Sequence, residues 1–236
     1  MIGKMIKNGS KDLWIYAVVQ LAVFIFGIIL FTVIMAVGDE ESVFELATAM
    51  MVFVVLFMTL FFNGLGFQGE FNLAVGMGVT RKHFIIGYYI SALIMAIMQT
   101  GLVYVFHFIE SAELGFFYPG LEKEAGIEPF LFSWYVIPAI LIMVALSVLI
   151  GAVVMRVGKT ALIVLWVLWM AGCLLPSRIE KAMESGKPSL LGNLGHWLTD
   201  TASGFTPIMA VGILGAMSVI AVIVTVMITR KQRVTA

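Results

Sequence analysis

Charged side chains are scarce in this chain. They make up 12% of its 236 residues, whereas 61% of the residues are hydrophobic. A typical soluble domain carries about 25% charged residues. The scarcity is also uneven, because none of the long apolar runs contains Asp, Glu, Lys or Arg before its ends. These absences exclude an ordinary soluble domain and predict an integral membrane protein.

Several chemical motifs are also missing from the sequence. Cys173 is the one cysteine and lies within an apolar run, which excludes an internal disulfide and a thiolate metal cluster. There is no G-x-x-x-x-G-K-[ST] loop for nucleotide phosphates and no H-E-x-x-H zinc motif. His107 and Ser111 have the i, i+4 spacing of a Ser/His pair, but this spacing is common by chance. We therefore expect no catalytic residue, cofactor or metal in this chain, and no nucleic-acid partner.

Six apolar runs approach the length of about 20 residues that a helix needs to cross a bilayer. The predicted helices cover about residues 13–37, 46–66, 84–109, 130–155, 160–176 and 205–229. The first run is too long for the apolar region of a signal peptide, so we expect a retained helix. The sequence thus predicts one all-α transmembrane domain over residues 1–236.

The basic residues fall mainly on one side of the predicted membrane. Ten of the fourteen Lys and Arg residues lie in the two tails or in the connections after the second and fourth helices; they are Lys4, Lys7, Lys11, Arg81, Lys82, Arg156, Lys159, Arg230, Lys231 and Arg233. The other connections are acidic. By the positive-inside rule the basic side is cytoplasmic, so both termini are expected in the cytoplasm.

A polar segment with several glycines, FQGEFNLAVGMGVTRKHF, follows the second apolar run. Helical spacing gives it an apolar face of Phe67, Phe71, Ala74 and Val75 and a polar face of Gln68, Glu70 and Asn72. The pattern predicts a short helix along the membrane surface. We expect Gly64 and Gly66 to allow a sharp turn into this helix, residues 76–78 to allow a turn out of it, and Thr80 to cap the third long helix.

Two external connections are long enough to form structure of their own. Residues 110–128 are acidic and contain a predicted turn at 118–120, so they are expected to form a small cap. Residues 177–204 include LLGNLGHWLTD, in which Leu190, Leu191, Leu194, Trp197 and Leu198 recur at helical spacing. The pattern predicts a short helix that lies at the outer leaflet or re-enters it. The alternative is a surface loop that packs its apolar face on the bundle.

Three of these segments carry a family resemblance: MIGKMIKNGSKDLW at the start, FQGEFNLAVGMGVTRKHF and LLGNLGHWLTD. Together they resemble the transmembrane subunit of an ABC-2 type ABC transporter. AVGMGVTRKHF in particular looks like a stretch of small permeases from Gram-positive bacteria. In that family a basic interfacial segment, here 1–12, precedes six helices. A coupling segment, here 67–83, joins helices two and three, and short re-entrant helices precede helix six.

The resemblance implies a type V exporter-like architecture in the plasma membrane of a bacterium. It also implies two partners, a cytosolic ABC ATPase that binds ATP and Mg²⁺ and a second permease subunit in a homodimer or heterodimer. The cargo would be amphipathic or hydrophobic, such as an antimicrobial or cytotoxic peptide or a lipid-like molecule. The residues expected to couple the ATPase are Phe67, Gln68, Glu70, Phe71, Asn72 and Ala74.

Polar residues within the third predicted helix allow two interpretations. Gln99, Thr100 and His107 could line a substrate path, or they could form interhelical hydrogen bonds. On the same helix Gly87, Ser91, Ala92, Ala96 and Thr100 form a small-residue pattern that predicts close helix packing. Two other functions remain open. One is a membrane immunity, sensor or scaffold protein, and the other is a secondary transporter, against which the absence of a carboxylate within the apolar runs argues.

Overall fold

The structure is a computed structural model that describes residues 2–38, 42–119, 121–123, 126–184, 190–204 and 206–231. In these ranges the chain is almost entirely helical. Its elements are α1 (Ile2–Val37), β1 (Ser42–Val43), α2 (Leu46–Phe57), a π-helical segment (Met58–Phe62), α3 (Asn63–Gly76), α4 (Arg81–Phe117), β2 (Glu122–Lys123), α5 (Glu128–Leu131), α6 (Val136–Val157), α7 (Lys159–Glu184), α8 (Leu190–Ser203) and α9 (Pro207–Lys231).

Six helical stretches in the described part are long and apolar enough to cross a membrane, as the sequence predicts. They are Trp14–Val37, Leu46–Gly76, Arg81–Phe117, Val136–Val157, Thr160–Met183 and Ile208–Arg230. The chain is therefore a multi-pass membrane protein.

The first and third long helices extend beyond their apolar runs. The expected separate segment 1–12 is helical from residue 2 and continuous with the rest of α1. α4 begins three residues earlier than expected and continues to Phe117, so residues 110–117 are helix rather than external loop. Hydropathy marks the apolar stretch, whereas the ends of a helix depend on capping and on breakers such as Pro119. Tyr118 ends α4 within the predicted turn, and Gly120 lies outside the described residues.

The predicted surface helix 67–76 is not a separate element. Backbone helix continues from Leu46 through the π-helical segment to Gly76, so the expected sharp turn at Gly64 and Gly66 is wrong. Gly64 serves helix packing instead, because a Cβ there would come within 2.9 Å of Ile150 and 3.2 Å of the Ser147 carbonyl oxygen. The predicted turn out of this segment is confirmed: Gly78 has a φ of +83° and Thr80 caps α4.

α6 lies at the centre of the bundle and packs against α3, α4 and α9. Ala92 and Ala96 of α4 are buried against Val144 of α6, which confirms the predicted close packing of the small-residue face. α6 begins at Val136, later than expected, because α5 and a turn occupy residues 128–135. Trp169 anchors α7 through aromatic contacts with Phe53, Phe57 and Phe61, at 5.4–5.7 Å between ring centroids.

α7 and α8 form a hairpin whose apolar face remains exposed. α7 continues through Pro176, where the sequence predicts its end, to Glu184. α8 is the helix predicted in LLGNLGHWLTD, and it approaches α7 closely at Gly195, where a Cβ would lie 2.4 Å from Met183 Sδ. Leu190 and Trp197 are exposed, so these two side chains do not pack on the bundle.

Candidate functional site

Two regions at opposite ends of α4 contain most of the candidate residues. At one end the carboxylate of Glu110 reaches the N-terminus of α2. It accepts hydrogen bonds from the backbone nitrogens of Ala47 and Thr48, at 2.8 and 2.7 Å, and from Thr48 Oγ1 at 2.5 Å. These nitrogens belong to the first turn of α2 and have no partner within their own helix. Glu110 therefore caps α2 from a neighbouring helix, and its negative charge suits the helix dipole.

Glu45 and His107 lie beside this cap. His107 Nδ1 is 2.9 Å from Glu45 Oε2, and both side chains are 2% exposed. The ring of Phe132 lies 5.4 Å from the His107 ring and covers it. We call Glu45, Thr48, His107 and Glu110 the polar seam.

The polar seam contains two carboxylates, Glu45 and Glu110, in connections that the charge pattern predicts to be external. Each lies just beyond an apolar run, where a charge is expected to be solvated. The structure instead buries both, because α4 continues past residue 109 and the N-terminus of α2 needs acceptors. The burial of Glu110 could have been predicted from helical spacing, because it lies on one face of α4 with Gln99, Val103 and His107. All four residues are buried.

The three predicted path residues do not form one group. His107 belongs to the polar seam. Gln99 lies two turns away along the same buried face, and neither of its amide atoms has a hydrogen-bond partner within the described residues. Thr100 donates to the Ala96 carbonyl of its own helix at 2.8 Å. In the described part of the chain, no group of three or more His, Cys, Asp or Glu residues has metal-binding geometry.

The other end of α4 is held by aromatic rings. Phe67 and Phe71 of α3 pack against Phe84 and Tyr88 of α4, with ring centroids 5.0–5.4 Å apart between the two helices. We call these four residues the aromatic corner. The corner is completed by Val148, Ala152 and Met155 of α6. At Gly151 a Cβ would approach Phe67 Cβ to 2.5 Å, so α3 and α6 are in direct contact there.

The buried cluster around the aromatic corner also contacts α9. Val226 and Ile228 pack against this cluster, and Arg81 Nη1 donates to the Arg230 carbonyl oxygen at 2.5 Å. One buried cluster therefore joins α3, α4, α6 and α9 at the end of the bundle that is predicted to be cytoplasmic.

The six predicted coupling residues divide between the core and the surface. Phe67, Phe71 and Ala74 are buried against α4 and α6, so these three side chains do not form part of the exposed surface. They are buried because the apolar face of α3 is the one turned to the bundle. Gln68 and Glu70 are exposed, and Asn72 is half-buried.

Two exposed apolar residues near the corner were not predicted. Leu73 and Met77 are 61% and 65% exposed and lie one turn apart at the end of α3. Their i, i+4 spacing in the sequence could have indicated that they lie on the same face of the helix.

No protein-family model, no curated protein and no solved structure matches this chain.

Proposed function

We propose that this chain is the membrane-spanning permease subunit of an ATP-driven ABC exporter. A separate cytosolic ATPase would drive it, and the cargo would be amphipathic or hydrophobic. The observation that supports this proposal best is the aromatic corner.

An ATPase can do work on a membrane subunit only through a surface that both proteins contact. That surface must also be rigidly connected to several transmembrane helices, or the movement is lost in local bending. The aromatic corner has this property, because Phe67 and Phe71 pack on rings of α4 and on α6 while Val226 extends the contact to α9. Close-packed interiors transmit displacement.

The proposed docking surface lies on the outside of the aromatic corner. It consists of Gln68, Leu73 and Met77, with Asn72 at its edge. Exposed apolar residues beside polar ones are typical of protein interfaces. The other turn on the predicted cytoplasmic side, at Gly158, is much shorter, since α6 ends at Val157 and α7 begins at Lys159.

The experiment replaces both Leu73 and Met77 by Glu in the full chain, expressed in its native cells. We expect the wild type to co-purify with an ATPase that carries a G-x-x-x-x-G-K-[ST] loop, and to raise its ATP turnover in proteoliposomes. The double variant should lose both effects while remaining folded. Val157→Glu, an exposed change at the other turn, is the matched control and should behave as wild type. An ATPase that binds and responds equally to the double variant would refute the proposed docking surface.

The polar seam supports a second candidate, an ion-coupled secondary transporter. Its two buried carboxylates and one imidazole are the kind of groups that bind protons in transporters. Because these carboxylates are buried in the bundle, the absence of a carboxylate from the apolar runs no longer argues against a secondary transporter. Transport into inverted vesicles separates the two functions, because ATP should drive uptake in one case and a proton or sodium gradient in the other. A chain that binds the ATPase or a ligand but moves nothing would instead be a sensor or scaffold.

A further inference from the structure

A cavity of about 360 Å³ lies between α1, the start of α3 and α4. Its volume is in the range of small-molecule binding sites. Tyr16 and Tyr88 line it near the predicted cytoplasmic ends of their apolar stretches, and the exposed Glu70 lies among its lining residues. Tyrosines of membrane proteins concentrate at the headgroup level. The cavity therefore lies where the polar head of an amphiphile would reside.

The lining favours a cation. Among the described residues that line the cavity, Glu70 alone carries a formal charge. Three aromatic residues, Tyr16, Phe62 and Tyr88, line the same space. An acidic group together with aromatic faces is the arrangement that binds ammonium groups, because the ring quadrupole and the carboxylate both attract positive charge.

Two uncharged polar residues, Asn63 and Ser91, also line the cavity. They carry no formal charge, so Glu70 decides the sign of the charge that the cavity attracts.

The remaining lining is apolar and extends toward the middle of the bundle. Val19, Met58 and Met95 form this part. Met side chains adapt to irregular apolar shapes, so they suit a flexible alkyl chain.

We propose that this cavity binds an amphiphile with an ammonium head and an alkyl chain. Glu70 and the three aromatic residues hold the ammonium, and the chain lies along the methionines. Two sources share this chemistry, an aminolipid of the membrane and an amine-bearing cargo. The binding site does not depend on whether an ATPase drives the protein.

The test measures equilibrium binding of three radiolabelled probes to the purified full chain in nanodiscs that lack aminolipids. Sphingosine carries an ammonium and hydroxyls without phosphate, phosphatidylethanolamine carries an ammonium and a phosphate, and palmitate carries a carboxylate on a similar chain. We expect saturable binding of at least one amine probe and none of palmitate. Saturable binding of phosphatidylethanolamine alone identifies a membrane lipid as the ligand, and binding of sphingosine identifies a free amine amphiphile.

Three variants show whether the probe occupies this cavity. Glu70→Gln removes the charge at an exposed position and should weaken binding by about ten-fold or more, the loss of one charge-assisted contact. Gly66→Leu should fill the cavity, since a Cβ there meets nothing closer than 3.6 Å and points to the Tyr88 hydroxyl. Gly69→Leu is the matched control, with open space around its Cβ, and should bind as wild type.

Three results would overturn the proposal. The first is no saturable binding of either amine probe to the wild type. The second is palmitate binding as tight as that of the amines. The third is amine binding by the Glu70→Gln variant that equals that of the wild type. This comparison can be made even if the Gly66→Leu variant fails to fold.

Discussion

The two ends of α4 are held in place by opposite means. The polar seam fixes the predicted outer end through directional bonds from Glu110 to the first turn of α2. The aromatic corner fixes the predicted inner end through the packing of Phe67 and Phe71 on rings of α4. The polar seam depends on the positions of a few hydrogen-bonding atoms, whereas the aromatic corner depends on close packing of apolar side chains. The inner end should therefore contribute more to the free energy of unfolding. The outer end should be more sensitive to substitutions that change the polarity of a side chain without changing its shape.

The largest expected effect is at the aromatic corner. Phe67→Ala should lower the free energy of unfolding by about 3–5 kcal/mol, because it leaves a cavity between α3, α4 and α6. SDS titration of the purified protein in mixed micelles measures this. Leu73→Ala on the same helix is the control, and as an exposed change it should cost no more than about 0.5 kcal/mol. Equal losses for the two variants would mean that the corner is not a packed core.

The polar seam should show the next largest effect. Glu110→Gln keeps the shape but replaces one acceptor oxygen by an amide that faces the donors of α2. We expect a loss of about 1.5–3 kcal/mol, the range for hydrogen bonds to a charged group. Glu113→Gln, one turn further along α4 and half-buried, is the control and should change little. If the two variants are equally stable, Glu110 does not cap α2.

A smaller effect is expected at the turn between α3 and α4. Thr80 Oγ1 accepts from the backbone nitrogen of His83. Thr80→Ala should therefore cost about 1 kcal/mol, whereas Thr80→Ser keeps the hydroxyl and should cost less. Identical unfolding curves for the Ala and Ser variants would argue against the cap.

The smallest effect should occur between the two ends. Gln99→Leu replaces an amide without hydrogen-bond partners in the described structure by an apolar side chain of similar size. Stability should stay within about 1 kcal/mol of the wild type or rise, since no bond is lost and the desolvation cost disappears. A stable variant that no longer transports cargo would assign Gln99 to the substrate path. A loss of several kcal/mol would show that the amide is bonded after all.

The sequence predicts the features that depend on local pattern. The six apolar stretches, the cap at Thr80, the helix in LLGNLGHWLTD and the buried small-residue face of α4 all follow from composition and spacing within one segment. The bilayer imposes length and apolarity on each span separately. These features therefore need no knowledge of neighbouring helices.

Features that depend on two helices were not predictable in this way. Gly64 is compatible with a turn in isolation, and it lies inside a helix because α6 approaches its backbone. Glu45 and Glu110 are charged residues in predicted connections, where exposure to solvent is expected. They are buried because His107 and the backbone nitrogens of α2 offer them polar contacts. The exposed pair Leu73 and Met77 likewise becomes notable only once Phe67 and Phe71 are known to face the bundle.

Docking of an ATPase at the aromatic corner requires that this end of α4 faces the cytoplasm. The direct measurement is labelling of single cysteines with a membrane-impermeant maleimide, in a Cys173→Ser background that removes the native thiol. Phe116→Cys marks the end with the polar seam and Met77→Cys the end with the aromatic corner, and both positions are exposed. We predict that Phe116→Cys is labelled on intact cells and that Met77→Cys is labelled only after permeabilisation. The reverse pattern would place the corner outside the cell and contradict an ATPase-driven function.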